Sequence, residues 1–553
     1  MLLPADLPPR IVLSTLNARY VHASLGLRCL LANMGDLRPC TVLREFTVAR
    51  APLEVAQELL GLLGPPQPGQ AQVVGFGVYI WNVVPTGAVL RHLRALRPGL
   101  KIVLGGPEVS HELDTQPLLA WADHVITGWG DVSFPRLCRA LLHGPRPLMQ
   151  VIAGEQPPLD ALALPYAEYT DADLAHRVVY VEASRGCPFK CAFCLSALDK
   201  TAWAFDLPRF LAALDTLYRR GARNFKFVDR TFNLKTDAAL RILQFFLDRL
   251  SGPDAATAAG PGLLAHFELI PDHLPERLKQ AIARFPAGVL QFEVGVQTFD
   301  TAVQARIHRV QDNPRTEANL RWLVQHTQAH VHADLIFGLP GESLAGFARG
   351  FDRLLALGPH EIQLGVLKRL RGTPLAVSAS DSGLQFDPDP PYAVRETADV
   401  SADELQRFTR LARYWDLIAN SGRFQRTLGL LWPPGAARSA FWRLLHLSDW
   451  LWARTGATHR LTPEQLVDHL ADYLRAESGA DPAVVEQALL DDYLASGARA
   501  RPQHLRARLA PGATPVRERR ETRAQRQQQH LAHAPQGVAA AAAPGAAGLE
   551  IRL

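Results

Sequence analysis

Two stretches of this 553-residue chain alternate short apolar runs with longer stretches of helical periodicity. Between residues 10 and 150 the apolar runs Arg10–Ser14, Pro39–Phe46, Val73–Val78, Lys101–Leu104 and His124–Thr127 read as strands. Strands alternating with helices predict a parallel sheet covered by helices, here a domain over residues 1–146. The alternation resumes with Val178–Ala183, Asn224–Asp229, Ala265–Ile270, Val289–Val296, Val331–Phe337 and Glu361–Leu367, with helical segments such as Leu207–Arg220 and Thr236–Leu250 between them. Six parallel strands fall short of a closed eight-stranded barrel. They predict an open, partial (β/α) barrel over 173–386. Residues 147–172, rich in Pro, Ala and acidic residues, read as a linker. After DPDPPY the βα repeat stops, and helical periodicity runs over 387–500. Its aromatics, among them Tyr414, Trp415, Phe424, Trp432, Phe441, Trp442, Trp450 and Trp452, recur at helical spacing and predict a helical core.

Composition narrows the picture. Apolar content of 48% supports globular cores, and no apolar run reaches the roughly 18 residues of a membrane span. No charged and apolar pair of segments marks the N-terminus as a secretory leader. Six cysteines in so long a chain do not make a secreted disulfide framework, and three of them share one loop, so a cytosolic location is expected. The net charge of +5 is a property of the tail: residues 501–553 carry nine Arg against three acidic residues, leaving −1 for the rest. The body therefore has no basic footprint for nucleic acid. The tail itself, Arg/Gln-rich and then Ala/Gly/Pro-rich, reads as disordered.

The chemistry concentrates at VVYVEASRGCPFKCAFCLSAL, residues 178–198. Cys187, Cys191 and Cys194 are spaced C-x3-C-x2-C directly after a strand, with Phe193 before the last. Three thiolates on one tight loop can hold three irons of a 4Fe–4S cluster. A structural zinc site or three unrelated thiols are the alternatives, but zinc usually takes a fourth ligand and paired short spacings, and no second pair exists. The motif resembles that of the radical S-adenosylmethionine (radical SAM) enzymes. The resemblance implies that Cys187, Cys191 and Cys194 ligate the cluster, that SAM chelates the fourth iron, and that one-electron reduction splits SAM into methionine and a 5′-deoxyadenosyl radical.

By the logic of α/β barrels the site lies at the carboxyl ends of the strands, where Asp229, Glu268, Glu293, Gly295, Gln297, Thr298 and Asp334 cluster with the turn Gly338-Leu339-Pro340-Gly341. Polar groups in apolar strands are costly unless paired or liganded. The resemblance assigns Gln297 and Thr298 to the ribose of SAM and Gly338 and Pro340 to its adenine pocket. Phe193, Asp229, Glu268 and Glu293 are further candidates for the cofactor shell. Asp229, Glu268 and Asp334 can equally tie strand ends to helices. His308 and Arg309 resemble the family's I-x-R segment, which would pair Arg309 with a SAM-contacting carboxylate.

In the first domain several strands end in glycine-rich turns: GFGVYIWN (75–82), LGGPEVS (104–110) and TGWGD (127–131). Such turns sit where open α/β sheets bind ligands, and small residues let a bulky ligand approach the backbone. None is a G-x-G-x-x-G dinucleotide fingerprint. They resemble the Rossmann-like cobalamin-binding domain that precedes many radical SAM barrels, with Gly75, Tyr79, Asn82, Gly105, Gly106, Pro107, Glu108, Gly128 and Gly130 as candidate cobalamin contacts. The family's terminal turn carries Glu where Trp129 and Asp131 stand here, and no D-x-H-x-x-G segment supplies a lower cobalt ligand. His22 is a lone loop histidine, read as structural. The alternative is a degenerate domain that only packs on the barrel. Cys29, Cys40 and Cys138 read as buried small hydrophobes.

Together the resemblance covers roughly residues 10–495, including an uncharacterised helical C-terminal domain. It implies a cobalamin-dependent radical SAM enzyme that uses a 4Fe–4S cluster and SAM, an external flavodoxin- or ferredoxin-type electron donor, and an unidentified small-molecule or natural-product substrate that receives a methyl group at an unactivated carbon. Other radical SAM chemistry (rearrangement, cyclisation, methylthio transfer) and a non-catalytic cofactor-binding sensor are the competing readings.

Overall fold

The structure is a computed structural model that describes residues 9–199, 201–250, 262–379, 381–432, 439–496, 498 and 500–509. The first domain is built from β1 (Ile11–Asn17), α1 (Leu25–Ala32), β2 (Thr41–Thr47), α2 (Pro52–Leu63), β3 (Val73–Gly77), α3 (Val83–Leu96), β4 (Lys101–Gly105), β5 (His124–Thr127), α4 (Ser133–His143) and β6 (Val151–Ala153). All neighbouring strands are parallel, in the order β2-β1-β3-β4-β5-β6. β1 is buried along its whole length, which is why IVLSTLN reads as one near-continuous apolar run. The strand order reverses between β1 and β3, and the crevice off the carboxyl ends at such a point is where these folds bind ligands. The sixth strand lies in the segment expected to be a linker. Val151–Ala153 is too short to show periodicity, yet its backbone extends the sheet beside β5.

α5 (Asp171–His176) leads into the second sheet through β7 (Val179–Val181) and a ribbon of β8 (Ser184–Arg185) against β9 (Trp203–Ala204). There follow α6 (Leu207–Arg219), β10 (Asn224–Phe227), α7 (Thr236–Leu250), β11 (Leu264–Leu269), α8 (Glu276–Ile282), β12 (Leu290–Gln297), α9 (Thr301–Arg306), α10 (Asn313–His326), β13 (His330–Phe337), α11 (Leu344–Leu355), β14 (Glu361–Val366) and α12 (Pro374–Val377). The order β14-β13-β12-β11-β10-β7 is sequential and parallel throughout, an open six-stranded barrel. Phe225, Phe227, Phe267 and Phe292 alternate with polar residues. The phenylalanines on β10 and β11 pack edge-on against Phe246 of α7. Period two then turns Lys226, His266, Glu268 and Glu293 to the other face, the barrel interior.

DPDPPY does not end the barrel's packing. It forms the turn between β15 (Gln385–Phe386) and β16 (Val394–Glu396), a ribbon stitched to the end of β14 by Val394 N–H on Leu367 O (2.8 Å). The helices α13 (Ala402–Ile418), α14 (Gln425–Leu431), α15 (Ala440–Thr455), α16 (Pro463–Tyr473) and α17 (Pro482–Ala495) follow. Tyr414, Trp415, Phe424 and Phe441 are buried among them, as helical spacing implied, while Trp452 stays at the surface. Residues 501–509, expected to belong to the disordered tail, fold back on these helices: Leu505 is fully buried, and Asp468 accepts the backbone N–H groups of Gln503 and His504. The remainder of that tail, 510–553, lies outside the described residues. Among the described residues no helix is long and apolar enough to cross a membrane.

Two ion networks fasten the first domain to the barrel. In one, Arg28 of α1 bonds Glu45 (2.9 Å) and Asp173 (2.9 Å), and Arg177 bonds the same two carboxylates (2.6 and 3.1 Å). Tyr169 lies under the Arg28 guanidinium, 4.6 Å to its centroid. Burial pushes the Asp173 carboxyl up, but Arg28, the Thr170 backbone N–H and Arg177 together outweigh it and the group is held at about 2. In the other, Glu108 accepts from Arg371 (3.0 Å) and Tyr392 (2.8 Å), while Glu112 accepts from Arg369 (2.7 Å) and the Gly372 backbone (3.1 Å). Removing one partner of a buried network strands the others without water. Arg28→Ala is therefore expected to cost about 3 kcal/mol or more of stability, read as a lowered denaturant midpoint. A loss within the scatter of a surface substitution would contradict this role.

Candidate active site

The three cysteines lie on the loop after β7 and β8, at the carboxyl end of the barrel's first strand. Cys187 and Cys191 are buried and Cys194 half-buried. Backbone bonds hold the loop from three sides: Cys187 N–H on Asp199 O (3.2 Å), Ala192 N–H on Ile307 O (2.9 Å) and Leu375 N–H on Ala192 O (2.9 Å). Gly186 adopts φ +85°, and a Cβ there would fall 2.1 Å from Thr201 O, so only glycine makes this turn. Phe193 packs its ring on the barrel core. Burial pushes the Cys191 thiol up, opposed by Arg309, whose Nη1 lies 3.7 Å from its Sγ. Burial also raises Cys187, with the other two cysteines adding to the effect and Arg230 opposing it. The three thiols thus share one site with cations on its rim. Among the described residues no three His, Cys, Asp or Glu converge on a single metal ion. A cubane instead takes each cysteine on a different iron.

Asp229 grips the strand end just before this loop. Its carboxylate accepts from Ala183 N–H (3.0 Å) and Ser184 Oγ (2.6 Å), and burial pushes it up to about 7. Glu268 pairs with Arg230 (2.8 Å). Glu293 pairs with Lys226 (3.2 Å) and His266 (3.1 Å); burial raises it, but these partners together pull it well below the usual carboxylate range. On β13, Asp334 faces His332 (3.3 Å), and Glu361 of β14 faces His330 (3.0 Å). The barrel interior is thus a file of matched charges. Its histidines and Lys226 escaped the sequence reading, because single His and Lys residues in apolar runs carry no spacing signal.

β12 ends in an irregularity. Its register with β13 shifts between Gly295 and Gln297, and Gln297 adopts φ +69°. A bulge of this kind re-aims a side chain, and here the Gln297 Oε1 is buried with no hydrogen-bond partner. An orphaned acceptor at a barrel mouth suits a ligand hydroxyl. Thr298 Oγ1 donates to Glu342 Oε1 (2.5 Å), and Glu342 Oε2 is likewise unpartnered. Gly338 takes φ +88°, and Pro340 lines a separate cavity of about 600 Å³ that reaches Ala192. Arg309 does not pair with a carboxylate as the family resemblance implied. Its donors go to Gly295 O, Gln311 (2.9 Å) and the Cys191 sulfur, because the turn carrying it crosses the cysteine loop.

In the first domain, Gly75, Tyr79, Gly105, Gly106, Gly128 and Gly130 line one cavity of about 310 Å³ at the carboxyl ends of β3, β4 and β5. Gly106 is required there, since at φ +109° a Cβ would fall 2.5 Å from Val78 O. Asn82, Pro107 and Glu108 are not in that wall. Asn82 is fully buried, bonding Thr15, Leu16 O and Gly77 O (each 3.1 Å) and accepting from Tyr79 N–H (2.8 Å). Glu108 turns to Arg371 and Tyr392 instead. His22 bonds Tyr180 OH (2.7 Å) at the domain junction, a structural tie. The cavity wall is completed by Cys29 and by two barrel residues, Glu182 and Arg185. The sequence pointed to none of these three for this site, since each looks ordinary until two domains meet.

Gly186→Ala is expected to lower iron and sulfide content after anaerobic reconstitution severalfold, since the left-handed turn alone costs about 1–2 kcal/mol for a side chain. Full loading would contradict the turn's role. Glu342 gives a pH signature. Burial raises its carboxyl from 4.5 to about 8, with the Asp300 charge adding to the effect and Thr298 opposing it. The folded protein then holds a proton that the unfolded chain releases, so this contribution to stability declines as pH rises from 4.5 to about 8. The stability of the wild type relative to Glu342→Gln should fall across that window. A pH-independent difference would refute the assignment.

Residues 181–353 match the radical SAM superfamily, and residues 380–539 match a protein family of unknown function, DUF4080. An uncharacterised methyltransferase of Pyrococcus horikoshii, PH0819, is 31% identical over 177 residues, covering 27% of this chain and 38% of that protein. The chain thus spans well under half of that relative's length. The radical SAM methyltransferase TsrM of Kitasatospora setae, solved with cobalamin and a [4Fe-4S] cluster, aligns with TM-score 0.54 at 15% identity over 89% of this chain and 100% of that one. The cobalamin-dependent radical SAM enzyme OxsB, solved with aqua-cobalamin, aligns with TM-score 0.57 at 14% identity over 96% of this chain and 84% of that one. At these identities the likeness is one of fold. The chain carries a radical SAM domain, for which a 4Fe–4S cluster and SAM are the implied cofactors, within the multidomain fold of cobalamin-dependent radical SAM enzymes.

Proposed function

We propose that the protein is a cobalamin-dependent radical SAM methyltransferase acting on an unactivated carbon of a small molecule. The observation that carries this reading is the shared wall. Glu182, just past β7, and Arg185, on the ribbon that leads into the cysteine loop, also close the glycine-lined cavity of the first domain. That cavity suits the nucleotide end of a corrinoid: it is open, mostly lined by glycine and apolar side chains, and its one cation is already paired.

Cys187, Cys191 and Cys194 would hold the cluster, Gln297 with its orphaned oxygen would meet SAM, and the turns at 75–82, 104–106 and 128–130 would receive the corrinoid. When bound, the cluster supplies the electron that splits SAM and the corrinoid supplies a transferable methyl group. The chain's own residues do the rest. Arg309 and Arg230 place positive charge beside thiolates that carry net negative charge once metallated. Phe193 and the buried faces of Cys187 and Cys191 keep water from one side of the loop. Asp229 fixes the strand end from which the loop springs.

The experiment is anaerobic reconstitution with iron and sulfide, followed by dithionite, SAM and hydroxocobalamin. Methionine and 5′-deoxyadenosine should form, and corrinoid should stay with the protein through desalting. Cys191→Ala should abolish SAM cleavage. An intact cluster without SAM cleavage refutes the radical reading; SAM cleavage without corrinoid retention refutes only the methyl-transfer part.

A further inference from the structure

Arg185 stands two residues before Cys187, yet its guanidinium turns away from the cysteines and into the wall of the first domain's cavity. Nη1 and Nη2 reach the two oxygens of Asp131 (2.9 and 3.2 Å). Nε and Nη2 reach Glu182 Oε1 (2.9 and 2.8 Å), and Nη2 lies 3.4 Å from Cys29 Sγ. Trp129 stacks at 4.9 Å and Phe205 at 5.5 Å from the guanidinium carbon. Asp131 is 5% exposed and Glu182 7%, so both carboxylates are nearly dry, and the Arg185 side chain is only 16% exposed. A planar fork bound to two carboxylates has few donors left for an anionic ligand. It works as a strut.

The two ends of that strut matter. Cys29, Trp129, Gly130, Asp131, Glu182 and Arg185 itself all line the cavity, so an occupant touches the turn that Arg185 grips. At the other end only Gly186 separates Arg185 from Cys187; Gly186 has no room for a side chain against Thr201 and Asp199, and Cys187 N–H is tied to Asp199 O (3.2 Å). A shift of the 129–131 turn therefore reaches the first cluster ligand with little slack. The departure of this turn from the family's acidic pattern is met locally: Asp131 takes the arginine, and Trp129 covers its face.

We propose that Arg185 is a positioning residue through which the occupant of the first domain's cavity sets the geometry of the cluster-bearing loop. The proposal rests on the cavity taking a corrinoid. Coupling requires that the occupant favour one arrangement of the turn over another, and the contiguous chain of Trp129, Asp131, Arg185 and Gly186 supplies the route.

The test uses the full chain with its cluster loaded, without SAM, and reads the electron paramagnetic resonance spectrum of the reduced cluster with and without hydroxocobalamin. In the wild type the added corrinoid should shift the g values. Arg185→Gln should still take up iron but lose that shift, and Arg185→Lys, which keeps the charge without the fork, should restore part of it. Where Arg185→Gln fails to load iron, Asp131→Asn, which loosens the strut and leaves Arg185 in place, should reduce the shift instead. A wild-type shift preserved in Arg185→Gln, or in Asp131→Asn when that variant decides, overturns the proposal, as does a wild type that binds corrinoid with no shift. A wild type that retains no corrinoid after desalting refutes the cofactor reading itself, a separate result read from absorbance.

Discussion

The mouth of the barrel depends on a short loop held without slack. Its backbone is bonded to three separate segments, at Asp199, Ile307 and Leu375, and it leaves the strand through a glycine turn that tolerates no side chain. Cys187 and Cys191 are consequently placed by main-chain geometry, with their own rotamers a smaller variable. This is an economical way to present thiolates to a metal cluster, because little conformational entropy remains to be lost on metallation. Asp229 extends the same principle one strand inward, where its carboxylate fixes the backbone of Ala183 and the hydroxyl of Ser184.

Around this loop the protein gathers charged side chains, most of them at least partly buried, and matches nearly all of them. Glu293 with Lys226 and His266, Glu361 with His330, and Asp131 and Glu182 with Arg185 are all pairs whose desolvation is costly, and Glu268 meets Arg230 at the more exposed rim. Apolar residues of equal volume would stabilise as well or better. Their retention at the strand ends, where the barrel opens, places fixed dipoles and charges where a polar cofactor would sit. Against that background the unpartnered Gln297 oxygen stands out as a group with an unmet requirement.

Much of this architecture was legible in the chain. The periodicities located both parallel sheets, since buried strands such as Ile11–Asn17 and Leu290–Gln297 are long enough to show their pattern, and the glycine turns did converge on one cavity. What escaped was short or non-local. Val151–Ala153 becomes a strand only because β5 offers an edge. Leu505 is ordered by a surface on α16 and α17 that no local pattern reveals. Asn82 and Glu108, read as ligand contacts from their neighbours in the motif, have partners more than sixty and more than two hundred and fifty residues away, respectively. Arg185 shows the converse: a residue inside the best-defined motif whose partners Asp131 and Cys29 lie in another domain.

The two interdomain networks have a consequence for traffic. One fastens the first domain near β2 and α5, and the other does so through the segment after β4 and the turns beyond β14. A lid pivots on one edge, whereas a plate screwed down at two edges cannot. Each network would have to give up buried ion pairs for the two domains to part, so the junction between them acts as a fixed joint. Relative motion of the two domains is then costly, and any adjustment to an occupant of the first domain's cavity falls to the turns and side chains of its wall.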